Sequence, residues 1–95
     1  MRFELTDEAV VDLESIFDYS EDQFGFDQAV KYLNELDSCF KFIGSNPNSG
    51  KLRSEIRKGL RSFTKDNHII FYRMIQDTVR IVRVLHGSKD LPRQF

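Results

Sequence analysis

Residues 68–75 read His-Ile-Ile-Phe-Tyr-Arg-Met-Ile, and residues 78–86 read Thr-Val-Arg-Ile-Val-Arg-Val-Leu-His. Both runs are rich in β-branched and aromatic side chains, which suit a pleated, packed surface better than a helix. The first has no clean polar face and reads as a strand buried on both sides. The second alternates, with Val79, Ile81 and Leu85 on one side and Arg80, Val82, Val84 and His86 on the other. Arg83 falls among the first set, so one end of that face must reach solvent or a partner. Gln76 and Asp77 separate the runs as a two-residue turn, without the glycine that the best hairpin turns carry. This hairpin sets the C-terminal half as antiparallel sheet.

Upstream, Lys65-Asp66-Asn67 is a polar turn, and Leu60 and Phe63 mark a further extended stretch. Ser54-Glu55-Ile56-Arg57 reads as a short strand, with Gly59 as a bend or bulge after it. Ser45 to Gly50 strings turn formers together as a loop. Before that loop the apolar period changes. Ala9, Leu13, Ile16, Phe17 and Phe24 make one stripe at helical spacing, which predicts a helix over 7–23. Thr6 is placed to cap it, with Asp7 and Glu8 in its first turn. Gly25 stops it. Val30, Leu33, Leu36, Phe40 and Ile43 predict a second helix over 28–44, with Asp27 as its N-cap. The short break implies an antiparallel helical hairpin. Phe3 and Leu5, alternating with Arg2 and Glu4, suit a short opening strand. The expected order is β-α-α-β-β-β, an α+β sandwich in which an antiparallel sheet packs against an N-terminal helical hairpin. Residues 1–95 form one domain, with 87–95 as a polar, partly mobile tail.

Composition agrees. The 95 residues are 40% hydrophobic and 31% charged, with 5 Gly and 2 Pro, which excludes low-complexity and collagen-like classes. Cys39 is the single cysteine, so neither an internal disulfide nor a cysteine-based zinc cluster is available, and a reducing compartment fits. The first residues contain no signal-like apolar segment, and no apolar run approaches the ~20 residues that span a bilayer. The expectation is a cytoplasmic protein without membrane contact.

The net charge of −1 conceals an uneven distribution. Residues 1–45 hold 3 Lys/Arg against 11 Asp/Glu, a net of −8; residues 46–95 hold 11 against 4, a net of +7. Two readings are open. The acidic and basic layers neutralise each other, or the basic half faces an acidic partner.

His68 and His86 are the only histidines, too few for a metal site. His86 has the chemistry of a general acid or base, though a strand-end histidine at a sheet rim is the simpler reading. There is no phosphate-binding glycine loop and no nucleophile elbow. Asp12, Glu14, Asp18, Glu21 and Asp22 read as a solvated helix face. The basic set is the stronger candidate. Arg57, Lys58, Arg61 and Lys65, then Arg73, Arg80 and Arg83, lie on or beside the predicted strands, and some of them converge on one side of a twisted sheet. Guanidinium groups there would take phosphates or carboxylates in bidentate fashion.

Three segments closely resemble the ParE toxins of the RelE/ParE superfamily. They are Gly59-Leu60-Arg61-Ser62-Phe63, His68-Ile69-Ile70-Phe71-Tyr72-Arg73 and Arg80-Ile81-Val82-Arg83-Val84-Leu85-His86. Asp12-Leu13, Ile16 and Tyr19, and Asn46-Pro47 with Gly50, fit the same pattern, so the resemblance runs through nearly the whole chain in order. It implies the sandwich derived above. It also implies a non-enzymatic toxin of a type II toxin–antitoxin module that poisons DNA gyrase and is neutralised by a ParD-like antitoxin. Operator DNA would be met only through that antitoxin, as a homodimer, a heterotetramer or a larger complex. No cofactor is implied. Arg57, Arg61, Phe63, Arg73, Arg83 and His86 are the expected antitoxin- or target-binding residues. The rival within the superfamily is a ribosome-dependent mRNA endoribonuclease of RelE type, which would recruit Arg61, Arg83, His86 and Lys89. That branch typically carries an arginine where this chain has Ile69, an apolar residue that cannot hold phosphate.

Overall fold

The computed structural model describes residues 2–88. The elements are β1 (Arg2–Leu5), α1 (Asp7–Phe24), α2 (Phe26–Ser45), β2 (Lys51–Leu52), β3 (Arg61–Lys65), β4 (His68–Ile75) and β5 (Thr78–His86). One sheet holds all five strands in the order β1-β5-β4-β3-β2. The predicted sandwich is present. β2 to β5 are antiparallel, whereas β1 runs parallel to β5, pairing Phe3 with Val79 and Leu5 with Ile81. A parallel neighbour needs a crossover connection, which the helical hairpin supplies.

Local chemistry sets the helix ends. Thr6 Oγ1 accepts from the Ala9 amide at 3.1 Å and donates to the Val82 carbonyl at 2.8 Å, so one hydroxyl caps α1 and ties it to β5. Gly25, at φ 92°, ends α1 and begins α2 in a conformation that costs other residues strain. Asp27 is therefore not the cap expected of it; it falls in the first turn of α2, where its charge still opposes the helix dipole.

The strand expected over 54–57 does not form. Arg53 N donates to Leu60 O at 2.7 Å, and tight turns fill the interval between them. This folds Ile56 and Leu60 onto the sheet surface remote from the helices, where they meet Phe71, Leu85, Ile69 and Val82. The main core lies on the other surface, where Ile16, Leu36, Phe40 and Ile43 pack on Ile70, Tyr72, Val79, Ile81 and Val84. β4 is thus buried on both faces, as its composition predicts. The alternation expected along β5 is broken. Phe71 pairs with Arg83 and Tyr72 with Ile81, which leaves Val82 without a partner as a bulge. Val84, not Leu85, then joins Val79 and Ile81 under the helices.

Tyr72 organises the loop after α2. Its hydroxyl accepts from Gly50 N and donates to Pro47 O, both at 2.8 Å. A Cβ at Gly50 would sit 2.5 Å from that oxygen and 2.8 Å from Ser62 O, so only glycine fits. Among the described residues, no helix is long and apolar enough to cross a membrane.

Candidate functional site

The sheet surface away from the helices offers one apolar patch with a cationic surround. Leu60, Phe71 and Leu85 are buried at its centre, with Ile56, Ile69 and Val82 partly covered around them. Arg53 lies over the Phe71 ring with its guanidinium carbon 5.9 Å from the centroid, within cation–π range. The same guanidinium donates to Glu55 at 2.7 Å and to Ser62 at 3.2 Å, which fixes it in place. That contact also holds the Glu55 carboxyl below its ordinary range.

Arg73 and Arg80 occupy one rung of β4 and β5, and Glu4 stands on the far side of Arg80. Like charges directly opposite each other are unfavourable. Glu4 offsets one of them, bonding Arg80 Nε at 2.8 Å. Arg73 meets no carboxylate among the described residues and keeps its charge available for a partner. Arg57 sits exposed in the 53–60 turn that covers the patch.

The other expected site residues lie elsewhere. Arg61 pairs with Tyr72 on the helix side and donates to Gly50 O at 2.8 Å, bracing the loop. Phe63, also on that side, packs on Phe42 with ring centroids 5.8 Å apart. Arg83 is held by α1: its Nε and NH2 donate to the two carboxylate oxygens of Asp12 at 2.8 and 2.9 Å. Asp12 also accepts from the Val84 amide at 2.9 Å, filling the stretch of β5 edge beyond the end of β1. This corrects the reading of Asp12 as part of a solvated face; its side chain is 12% exposed. Asp12 hydrogen bonding pushes the Arg83 guanidinium further above its usual range.

His86 is exposed at the end of β5, with Nδ1 2.7 Å from Ser88 Oγ and its ring 5.6 Å from that of His68. His68 Nδ1 lies 2.7 Å from the Tyr32 hydroxyl. Burial, then the neighbouring His86, lowers the His68 pKa, and burial with Asp66 nearby raises Tyr32 to about 12. Residues 89–95 of the expected tail, Lys89 among them, lie outside the described residues.

Of the described members of the ribonuclease set, Arg83 and His86 line one groove and Arg61 stands apart from them. Arg61 stands on the Tyr72 rung and His86 on the His68 rung. Four residues of strand separate these rungs, about 13 Å at ~3.3 Å per residue. Arg83 is committed to Asp12, and Ile69 packs in the apolar patch. Among the described residues no group of three or more His, Cys, Asp or Glu side chains is arranged as metal ligands.

Among the described residues the acidic and basic halves meet in Arg83 with Asp12, Arg80 with Glu4 and Lys65 with Glu35, the last at 3.1 Å. Arg53, absent from the expected set, is the residue the sequence reading missed. Its signal would have been the Ile56 and Leu60 spacing, which folds its turn onto Phe71.

Comparison with known proteins agrees with this architecture. Residues 3–91 match the family described as ParE toxin of type II toxin-antitoxin system, parDE. A protein named Toxin ParE1 from Mycobacterium tuberculosis is 39% identical over 95 residues, covering 99% of this chain and 97% of the relative. Another named Toxin ParE1, from Caulobacter vibrioides, is 36% identical over 88 residues, covering 93% and 91%. A solved structure titled as a chromosomal ParDE TA system from P. aeruginosa superposes with a TM-score of 0.81 at 22% identity, covering 93% of this chain and 97% of that one. That likeness concerns the fold. The family match and the full-length relatives go further: this chain belongs to the ParE toxins of type II toxin–antitoxin systems.

Proposed function

We propose that the chain inhibits DNA gyrase without catalysing a reaction, and that a ParD-like antitoxin neutralises it by covering the sheet face that carries Phe71. The observation that carries this reading is the partly covered surface of Ile56, Ile69 and Val82 over the Leu60, Phe71 and Leu85 cluster, with Arg53, Arg57 and Arg73 around it. Apolar centres with charged rims are how protein interfaces combine affinity with orientation. The resemblance to ParE toxins supports gyrase as the target, and the separation of Arg61 from His86 supports inhibition by binding over phosphodiester cleavage. An antitoxin segment with acidic and apolar residues fits the patch by pairing with Arg73 and burying Ile56 and Ile69. The solved ParDE system of the same fold is in keeping with such a partner.

The test uses purified toxin, gyrase and plasmid DNA. Wild-type toxin should block supercoiling or accumulate cleaved DNA. Arg73→Glu should weaken this by about tenfold or more, as expected for one desolvated charge contact, while leaving the melting temperature unchanged. Undisturbed gyrase at large toxin excess overturns the reading. So do new 5′ ends inside messenger RNA codons after induction that vanish in His86→Ala.

A further inference from the structure

A second site lies on the opposite layer of the molecule. Under the tip of the helical hairpin is a cavity of about 240 Å³. Tyr19 and Phe24 from α1 and Tyr32 from α2 form its aromatic walls, while Gln28, Asp66 and Asn67 line it with oxygen acceptors. His68 and His86 close the side toward the sheet. Tyr19 and Phe24 are 64% and 68% exposed, and Phe26 beside them is 60% exposed. Large rings left in water at the mouth of a cavity mark a contact surface.

The helix that supplies two of the aromatic walls is acidic. α1 carries seven carboxylates and no Lys or Arg across its 18 residues. Its last turn is where the negative end of the helix dipole favours a cation, yet that turn has no basic residue and holds Glu21 and Asp22. No arginine lines the cavity. Lys65, beside it, is shared between Glu35 and Asp66 at 3.1 Å each, and Arg83 in the adjoining groove is bound to Asp12.

We propose that this cavity receives an arginine side chain presented by a protein partner. A guanidinium is planar and weakly hydrated, so it stacks on tyrosine and phenylalanine faces. Its N–H fork reaches a carboxylate and amide oxygens of the kind that Asp66, Gln28 and Asn67 provide. Tyr32, held un-ionised, offers a neutral ring wall. An apolar side chain in the same place would leave the Gln28 and Asn67 amides without partners, and an anion would face the Asp66 carboxylate, the one acid among the lining residues. The bound arginine would also supply the positive charge that the α1 C-terminus lacks. This site does not depend on the sheet-face reading and stands whether or not gyrase is the target.

The test is a titration of the ¹⁵N-labelled protein with N-acetyl-arginine methylamide, with the citrulline analogue as its uncharged isostere and inorganic phosphate as the anion control. The arginine probe should shift the amides of Phe24, Gln28, Asn67 and His68 saturably. Citrulline should bind about tenfold more weakly and phosphate should leave these amides unmoved. Asp66→Asn should lower arginine affinity by about fivefold or more; asparagine tolerates the φ of 54° that position 66 requires. Tyr19→Ala, at an exposed position, provides a second variant that leaves the core intact. Equal response to citrulline, preference for phosphate, shifts spread evenly along α1, or unchanged affinity in both variants would each overturn the assignment.

Discussion

Tyr72 and Phe71 are neighbours on β4, both fully buried, and they serve opposite faces of the sheet. Tyr72 lies in a core of ten buried side chains drawn from α1, α2, β4 and β5, and its hydroxyl also ties the 46–50 loop. Phe71 lies under a single turn of chain with two other buried residues, and its ring carries a guanidinium. One strand therefore serves the main core on one side and a small, thinly covered cluster on the other. The difference comes from what covers each face: two long helices on one, residues 53–60 on the other.

Truncating each residue separates the two roles. Tyr72→Ala should cost about 3–5 kcal/mol for the ring, the usual range for removing a buried aromatic. A further 1–3 kcal/mol follows because Gly50 N and Pro47 O lose their partner. Phe71→Ala should fall near the bottom of the same aromatic range, since the 53–60 turn is free to settle into the space. Urea denaturation of both variants reads this directly. Equal losses would mean that the far face is as much a core as the near one.

The next effect concerns how each face is fastened at β5. Asp12→Asn weakens two bonds to Arg83 and one to Val84 N in a partly buried site. Hydrogen bonds to charged groups contribute ~1.5–3 kcal/mol, so a loss of about 2 kcal/mol is expected. Glu4→Gln breaks the Arg80 pair, which is 43% and 48% exposed, and should cost under ~0.5 kcal/mol. Should the two variants lose the same amount, the clamp on Arg83 contributes no more than a surface contact, and the guanidinium is available to the sheet face after all.

How much of this was readable in the sequence follows from the range of each interaction. The strands at 68–75 and 78–86, the Thr6 cap and the Gly25 break all rest on residues within a few positions of one another, and periodicity reports them. Asp12 gave no sign of its role because its partner is 71 positions away, and a lone acid on a helix looks solvated. The bulge at Val82 reverses the expected sidedness of Val84 and Leu85, since a period-2 pattern cannot show where one residue is skipped. The 54–57 segment misled because Ile56 between polar residues mimics alternation, whereas its true partner is Leu60, four positions on. The site was legible as chemistry, a set of arginines on strands, and not as geometry. Arg61 and Arg73 have the same composition signal and opposite faces.

The smallest effect distinguishes the faces by pH. His68 belongs to the helix side, at the end of the sheet, where burial and the His86 ring hold its pKa below the ordinary histidine value of about 6.5. The groups facing it are Tyr32 from α2, Tyr19 from α1, Lys65 from the end of β3 (itself bonded to Glu35 of α2), Asp66 from the turn, and His86 from β5. A lowered folded-state pKa means that the unfolded chain takes up its proton first as pH falls. Stability is then fully present above the unfolded value and declines as pH drops through it toward the folded value. His68→Gln should flatten the stability curve below about pH 6.5 relative to wild type, while Arg73→Gln on the far face should leave that slope unchanged. An identical slope in the His68 variant would place the titrating group elsewhere and remove His68 from the set of residues that make the near face pH-sensitive.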